Sequence, residues 1–288
     1  MTLQRLITGA ILIPVVVGLV WWGSVALVAA IAAVVMLLAL REFFNLGDHL
    51  GLHAYRFWTY VCALAIFFEQ WAATGSRSWM FIGNVRVTRA AAGFELPLDL
   101  ILFVFVLGVA GIIFGSRRPL AGAVGDIGVS AAGLLFVVLP LSAVVRLHGI
   151  PVIGPKLLLL TLVLVWAGDT LAYFVGRSMG RFLMAPQLSP KKTWEGAAAN
   201  LLASLLVGLL FSYWLPFETW QVLVMAGLAN IAGQAGDLLK SSYKRGAGVK
   251  DSGSLLPGHG GMLDRIDALI LAAPVVWYYF QWVLASHA

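Results

Sequence analysis

The sequence predicts an all-α, polytopic integral membrane protein, and three observations carry that prediction. Hydrophobic residues fill 61% of the 288 positions and charged residues only 11%, whereas a soluble domain is about a quarter charged. The apolar residues gather into runs of the length that a bilayer-crossing helix needs, roughly 17 to 25 residues. Those runs lack the alternation of barrel strands, and a backbone in lipid must satisfy its own amides, so each is expected to be helical.

In order, the runs are 6–22, 24–41, 57–73, 97–115, 126–146, 157–176, 198–214, 219–239 and 268–285, about nine spans in all. The first, in MTLQRLITGAILIPVVVGLVWW, has the basic start and apolar core of a signal peptide. A second apolar run follows almost at once, which favours an uncleaved span. The third run holds Cys62, the single cysteine; alone it forms no internal disulfide and reads as a small buried side chain. Residues 1–125 thus form an N-terminal region of about four helices. Residues 126–288 form a C-terminal region in which the polar chemistry concentrates.

Charge sets the orientation. With the segments between spans numbered alternately, one side receives fourteen basic residues: Arg5, Arg41, Arg56, Arg117, Arg118, Arg177, Arg181, Lys191, Lys192, Lys240, Lys244, Arg245, Lys250 and Arg265. The other receives five, namely Arg77, Arg86, Arg89, Arg146 and Lys156. Positive charge stays inside, so the first side and the N-terminus are expected in the cytoplasm. The net charge of +6 is mostly this topology signal, with attraction to anionic lipid as a consequence. No basic helix or aromatic code points to nucleic acid.

The first half offers little chemistry. REFFNLGDHLGLHAYR, at 41–56, reads as a wet interfacial loop even though it carries His49 and His53, and GSRRP at 115–119 reads as a topogenic turn. From about residue 166, polar groups gather where spans meet the cytoplasm. In VWAGDTLAYFVGRSMGR, Asp169 shares a helical stripe with Tyr173, Gly176 and Arg177. A carboxylate inside a span is costly and nominates a functional site, with helix-holding ion pairing as the alternative. Gly176 and Gly180 suit close helix packing. LSPKKTWEG follows, a compact turn crowding Ser189, Lys191, Lys192, Thr193 and Glu195 at the mouth of the next span, the kind of donor set a polyphosphate needs.

The richest stretch is GDLLKSSYKRGAGVKDSGSLLPGHGGMLDRID. Asp237, Ser241, Lys244 and Arg245 stand at i, i+4, i+7 and i+8, on one helix face. Lys250 and Asp251 come next, then Gly258 to Gly261 around His259, then Asp264 and Asp267 at i+3 on a helix start. Hard Mg²⁺ takes a few carboxylate oxygens plus water and phosphate oxygens, which suits Asp237, Asp264 and Asp267 converging at a wet rim. Lysine and arginine would neutralise phosphate, and glycine amides would approach it unobstructed. His259 is a candidate base or phosphate contact. No P-loop or dinucleotide fingerprint is present.

These residues resemble one family. Ser241, Lys244, Arg245, Lys250, Asp251, Pro257, His259, Gly260, Gly261, Asp264, Arg265 and Asp267 are similar to the signature of the phosphatidate cytidylyltransferases, the CDP-diacylglycerol synthases. Tyr243 departs from that pattern at a position usually aliphatic or Phe, and is expected to face away from the Asp237 stripe. SPKKTWEG and AGDTLAYFVGRSMGR also resemble family segments, whereas the first half resembles the family only as a run of helices.

The resemblance implies transfer of cytidylyl from CTP to phosphatidate with loss of pyrophosphate, dependence on Mg²⁺, and K⁺ beside it. Asp237 and Asp264 match the principal metal ligands, with Asp267 and Asp251 as further or supporting ligands. Catalysis is expected on Asp237, Asp264, Lys250, Asp251 and His259. Substrate contacts are expected from Asp169, Ser189, Lys191, Lys192, Thr193, Glu195, Ser241, Lys244, Arg245, Gly260, Gly261 and Arg265. Membrane lipid is both solvent and substrate source, and the expected location is a bacterial inner membrane with the site facing the cytoplasm. A CTP-dependent lipid kinase is the neighbouring alternative, against which the complete signature argues. A secondary transporter with intramembrane acids is the alternative of another class, against which the lack of internal repeats argues. A CDP-alcohol phosphotransferase is set aside because its D-G-x-x-A-R opening is missing. Small residues in several spans leave a homodimer open.

Overall fold

A computed structural model describes residues 2–76, 96–116, 120–253 and 260–284. Long helices dominate it: α1 (Thr2–Trp22), α2 (Val25–His49), α3 (Arg56–Ser76) and α4 (Leu98–Gly115) in the first half. α5 (Ala123–Gly133) runs through a π-helical stretch at Leu134–Val138 into α6 (Leu139–His148). α7 (Gly154–Met179), α8 (Trp194–Ser212), α9 (Thr219–Gly246) and α10 (Leu263–Tyr279) complete the bundle. Among the described residues, seven helical stretches are long and apolar enough to cross a membrane, as an all-α polytopic membrane protein requires: α2, α4, the α5–α6 unit, α7, α8, α9 and α10 with its continuation. α3, with Arg56, Glu69 and Gln70, is not one of those seven.

Two departures from the sequence expectation matter for the site. α2 does not stop near residue 41 but continues to His49, so the start of the supposed wet loop is helix, with Glu42, Phe43 and Phe44 buried. Its carboxylate finds internal partners, which removes the cost that would have driven it into water. The turn before α8 is in fact a two-stranded antiparallel hairpin, β1 (Leu183–Ala185) with β2 (Ser189–Thr193). Three residues of β1 are too few to register as alternation in the sequence. Thr193 ends the hairpin and caps α8, its Oγ1 accepting from the Gly196 amide at 3.2 Å.

Two apolar clusters hold the bundle. One gathers α2, α3, α4 and α5–α6 around Met36, Leu40, Phe44, Ile66 and Val138, and takes in Leu263, Ile266 and Ile270 of α10. The other joins α1, α7, α8, α9 and the later turns of α10 around Leu158, Leu160, Val222, Val276 and Phe280. α10 therefore belongs to both, which fixes the helix that opens on Asp264. α9 lies so close to α10 that a Cβ on Gly236 would sit 2.6 Å from the Asp267 carbonyl oxygen. At the other ends of these helices, exposed Trp22, Tyr213, Trp214, Trp220 and Trp282 stand where α1 and α8 finish, where α9 begins and just beyond α10. That is the amphipathic aromatic belt of a membrane interface. Cys62 is buried, packed in the first cluster.

Candidate active site

The end of α9, the start of α10, the end of α7 and the hairpin bring the nominated polar groups to one end of the bundle. At its centre stands Lys240, which the sequence reading counted only as a topogenic charge. Its ammonium lies 3.4 Å from Asp237 Oδ1 and 3.2 Å from Asp264 Oδ1, and it donates to Asp267 Oδ2. Only 8% of the side chain is exposed. A buried ammonium is tolerated only when paired, and three carboxylates supply the pairing. The i+3 spacing from Asp237 was the available signal.

Two further lysines complete the cluster. Lys244 Nζ donates to Asp264 Oδ1 at 2.7 Å, and Lys192 Nζ, from the hairpin, lies 2.6 Å from Asp237 Oδ2. Three cations and three carboxylates thus alternate from the hairpin through α9 to α10. Asp264 is held most closely: its Oδ2 also accepts from the amides of Ser252 at 3.0 Å and Gly261 at 3.3 Å. Asp267 Oδ1 accepts from the Ala268 amide at 2.7 Å. Gly260, at φ +77°, adopts a left-handed conformation that favours glycine and turns the chain onto Asp264.

Beside this cluster opens a cavity of about 280 Å³ between α7, the hairpin, α8 and α9. Asp169, Tyr173, Lys191, Lys192, Asn200, Gln234 and Asp237 line it. A hydrogen-bonded chain runs from its wall into the bundle. Asn200 Nδ2 donates to Asp169 Oδ1 at 3.3 Å, Asn230 Nδ2 donates to Ser204 Oγ at 2.7 Å and to Asn200, and Gln234 Nε2 donates to Asn230 Oδ1 at 2.7 Å. Asp169 is therefore anchored by an amide rather than by a cation. On a neighbouring face of α9, Phe43, Phe136, Val137, Tyr243 and Leu271 form an apolar crevice that reaches Lys240 and Asp267. Tyr243 packs edge-on to Phe43, ring centroids 5.5 Å apart, on this apolar side and away from the cavity.

The remaining nominated residues divide by position. Ser241 is buried in α9, whereas Lys191, Lys250, Asp251 and Arg265 are exposed. Ser189 begins β2 at intermediate depth. Arg245 donates to the carbonyls of Leu188 at 3.2 Å and Val249 at 3.3 Å, tying α9 to the hairpin turn. Glu195 turns away from the cavity and accepts from the amides of Arg181 at 3.1 Å and Phe182 at 3.3 Å. Gly176 and Gly180 face Thr193, where a Cβ on Gly180 would come within 2.7 Å of Cγ2. His259 and Pro257 lie outside the described residues, as do Arg77, Arg86, Arg89, Arg117 and Arg118.

One buried carboxylate escaped the sequence reading altogether: Glu42 of α2, which reaches the loop before α10. Its signal was an acid set between buried apolar residues in ALREFF.

With this geometry in hand, known proteins give a concordant picture. A model of the cytidylyltransferase family matches residues 3–283. A phosphatidate cytidylyltransferase of Synechocystis is 32% identical over 97% of this chain and 96% of its own length. Phosphatidate cytidylyltransferases of Brucella abortus and Haemophilus influenzae are each 41% identical, over 52% and 46% of this chain. In those two alignments the chain spans about half the length of the relative, 56% and 49%.

Proposed function

The chain belongs to the cytidylyltransferase family, and from that premise we propose that it transfers the cytidylyl group of CTP to phosphatidate, yielding CDP-diacylglycerol and pyrophosphate. The observation that carries the reading is the alternating cluster of Lys192, Asp237, Lys240, Asp264, Lys244 and Asp267 at the mouth of a lysine-lined cavity. An oxygen of the lipid phosphate attacks the α-phosphorus of CTP, the α–β phosphoanhydride bond breaks, and pyrophosphate leaves with that bond's electrons. Two anions must meet, so positioning and charge screening are most of the catalysis.

Lys191 and Lys192 on the cavity wall suit the triphosphate, which arrives from the aqueous side. The apolar crevice beside Lys240 and Asp267 suits acyl methylenes of a lipid whose phosphate reaches the same cluster. On this reading the site faces the cytoplasm of a bacterial inner membrane, where CTP is available and where the basic residues concentrate.

Mg²⁺ belongs to the proposal. Among the described residues no group of three acidic, histidine or cysteine side chains is arranged to hold a metal alone. Mg²⁺ usually takes one or two carboxylates with water and substrate phosphate oxygens. Asp237 and Asp264, oxygen donors sharing the Lys240 ammonium, fit that arrangement, with Asp267 behind them. When bound, the ion would supply charge neutralisation at the triphosphate. A K⁺ ion, which the family resemblance also implies, would compete with the Lys240 ammonium for the same carboxylates.

The test is an assay of purified protein in detergent with CTP, phosphatidate and Mg²⁺. Pyrophosphate release that requires all three supports the reading; release without phosphatidate, or none at all, contradicts it.

A further inference from the structure

Glu42 is a carboxylate two turns before the end of α2 with 6% of its surface exposed, flanked by the buried side chains of Leu40, Phe43 and Phe44. Three donors meet it, all from a segment more than two hundred residues away in sequence. Its Oε1 accepts from the Met262 amide at 2.8 Å, and its Oε2 accepts from the Leu263 amide at 2.9 Å and the Ser252 hydroxyl at 2.8 Å. Met262 and Leu263 open α10, and no side chain of that helix caps it. Glu42 therefore satisfies the free amides of α10 from another helix, with a negative charge at the positive end of its dipole.

The same loop residue touches both carboxylates. Ser252 donates its amide to Asp264 Oδ2 at 3.0 Å, while its hydroxyl lies 3.0 Å from that oxygen and 2.8 Å from Glu42. The packing leaves no room for a substitute. A Cβ on Gly253 would lie 2.6 Å from Glu42 Oε1, and one on Gly261 would overlap Glu42 Oε2 and Ser252 Oγ.

We infer that Glu42 is a positioning residue for the transfer reaction: it clamps Ser252 and the first amides of α10, and thereby sets where the Asp264 carboxylate stands. This rests on the reading of Asp264 as a group at the reacting phosphates. Glu42 does not line the cavity and forms no ion pair with the lysines of the cluster, so its effect passes through Ser252 and the first amides of α10.

Glu42→Gln keeps the size but turns an amide N–H toward one of the backbone donors. The expected result is a fall in kcat of about 10–100-fold, the range for residues that orient a ligand-bearing side chain. KM for CTP should stay within about twofold, because α10 does not line the cavity. Hydrogen exchange at the Met262 and Leu263 amides should accelerate in Glu42→Gln but not in Asp264→Asn. Ser252→Ala keeps both backbone bonds to Glu42 and the Ser252 amide bond to Asp264, and removes only the hydroxyl that bridges the two carboxylates; its kcat should fall about 10-fold without change in the thermal midpoint. A kcat within twofold of the parent in Glu42→Gln overturns the inference, and if that variant does not fold, the same result in Ser252→Ala overturns it. A rise in KM matching the fall in kcat also overturns it, since that marks general distortion. An inactive parent refutes the functional reading instead. An active parent with an inactive Asp264→Asn and a fully active Glu42→Gln removes this inference alone.

Discussion

Removing the Lys240 ammonium should cost far more stability than removing that of Lys192 at the edge of the cluster. In Lys240→Met the side-chain volume is nearly kept, but Asp237, Asp264 and Asp267 lose the cation they share at 3.4 Å, 3.2 Å and closer. The ammonium is 8% exposed and the three carboxylates 30%, 10% and 15%, so water replaces little of what is lost. Stranding buried charges by removing their partner costs about 3–5 kcal/mol. Lys192→Met is the internal control. Its single pair with Asp237 is 29% and 30% exposed, and pairs of that kind contribute about 0–1 kcal/mol. Thermal unfolding in detergent, followed by intrinsic tryptophan fluorescence, should place the Lys240→Met midpoint about 10 °C below the parent. The Lys192→Met midpoint should stay within about 2 °C of it. Equal midpoints for the two variants would refute the claim that Lys240 is the electrostatic hub.

Other perturbations follow from the same geometry. Mg²⁺ should raise the unfolding midpoint of Lys240→Met more than that of the parent, because Asp237, Asp264 and Asp267 then lose the ammonium they share and keep only Lys192 and Lys244 at the edges of the cluster; an equal response in both proteins counts against a divalent site there. Asp264→Asn should lower CTP turnover by at least about 100-fold while membrane insertion stays intact, judged by extraction and gel filtration. Gly261→Ala should lose activity because its new methyl overlaps Glu42 and Ser252, whereas Gly246→Ala, with nothing within 4 Å of the added carbon, should be neutral. Asn230→Ala should cost about 1–3 kcal/mol in thermal or denaturant unfolding, since Gln234, Asn200 and Ser204 all lose a buried partner.

Much of this molecule was legible because membranes impose few solutions. Apolar runs located the helices, and carboxylates placed at costly depths pointed to the ends of α7, α9 and α10. The orientation of Tyr243 followed from helical periodicity alone. What periodicity cannot register is a partner from another helix. The Asp237–Ser241–Lys244–Arg245 stripe suggested one common target, yet Lys244 turns to Asp264 on α10 while Arg245 turns to the carbonyl of Leu188 on the hairpin. Lys240 passed as an ordinary inside-positive charge because its three partners come from two helices and include Asp267, which lies twenty-seven residues on. Glu42 was hidden for a related reason. A glutamate just past the end of an apolar run normally reaches water, and only the packing of α2 against the start of α10 shows why this one stays buried. Glu195 shows the converse, a carboxylate placed by sequence among substrate groups whose hydrogen bonds go to the backbone of residues 181 and 182.

The central claim is that the cluster serves cytidylyl transfer rather than transfer of a terminal phosphoryl group. CTP labelled in the cytidine and, with a second isotope, in the γ-phosphate separates the two directly. Incubated with purified protein, phosphatidate and Mg²⁺, it should give a lipid product carrying the cytidine label, with the γ-label in free pyrophosphate. A lipid carrying the γ-label and no cytidine would contradict the account.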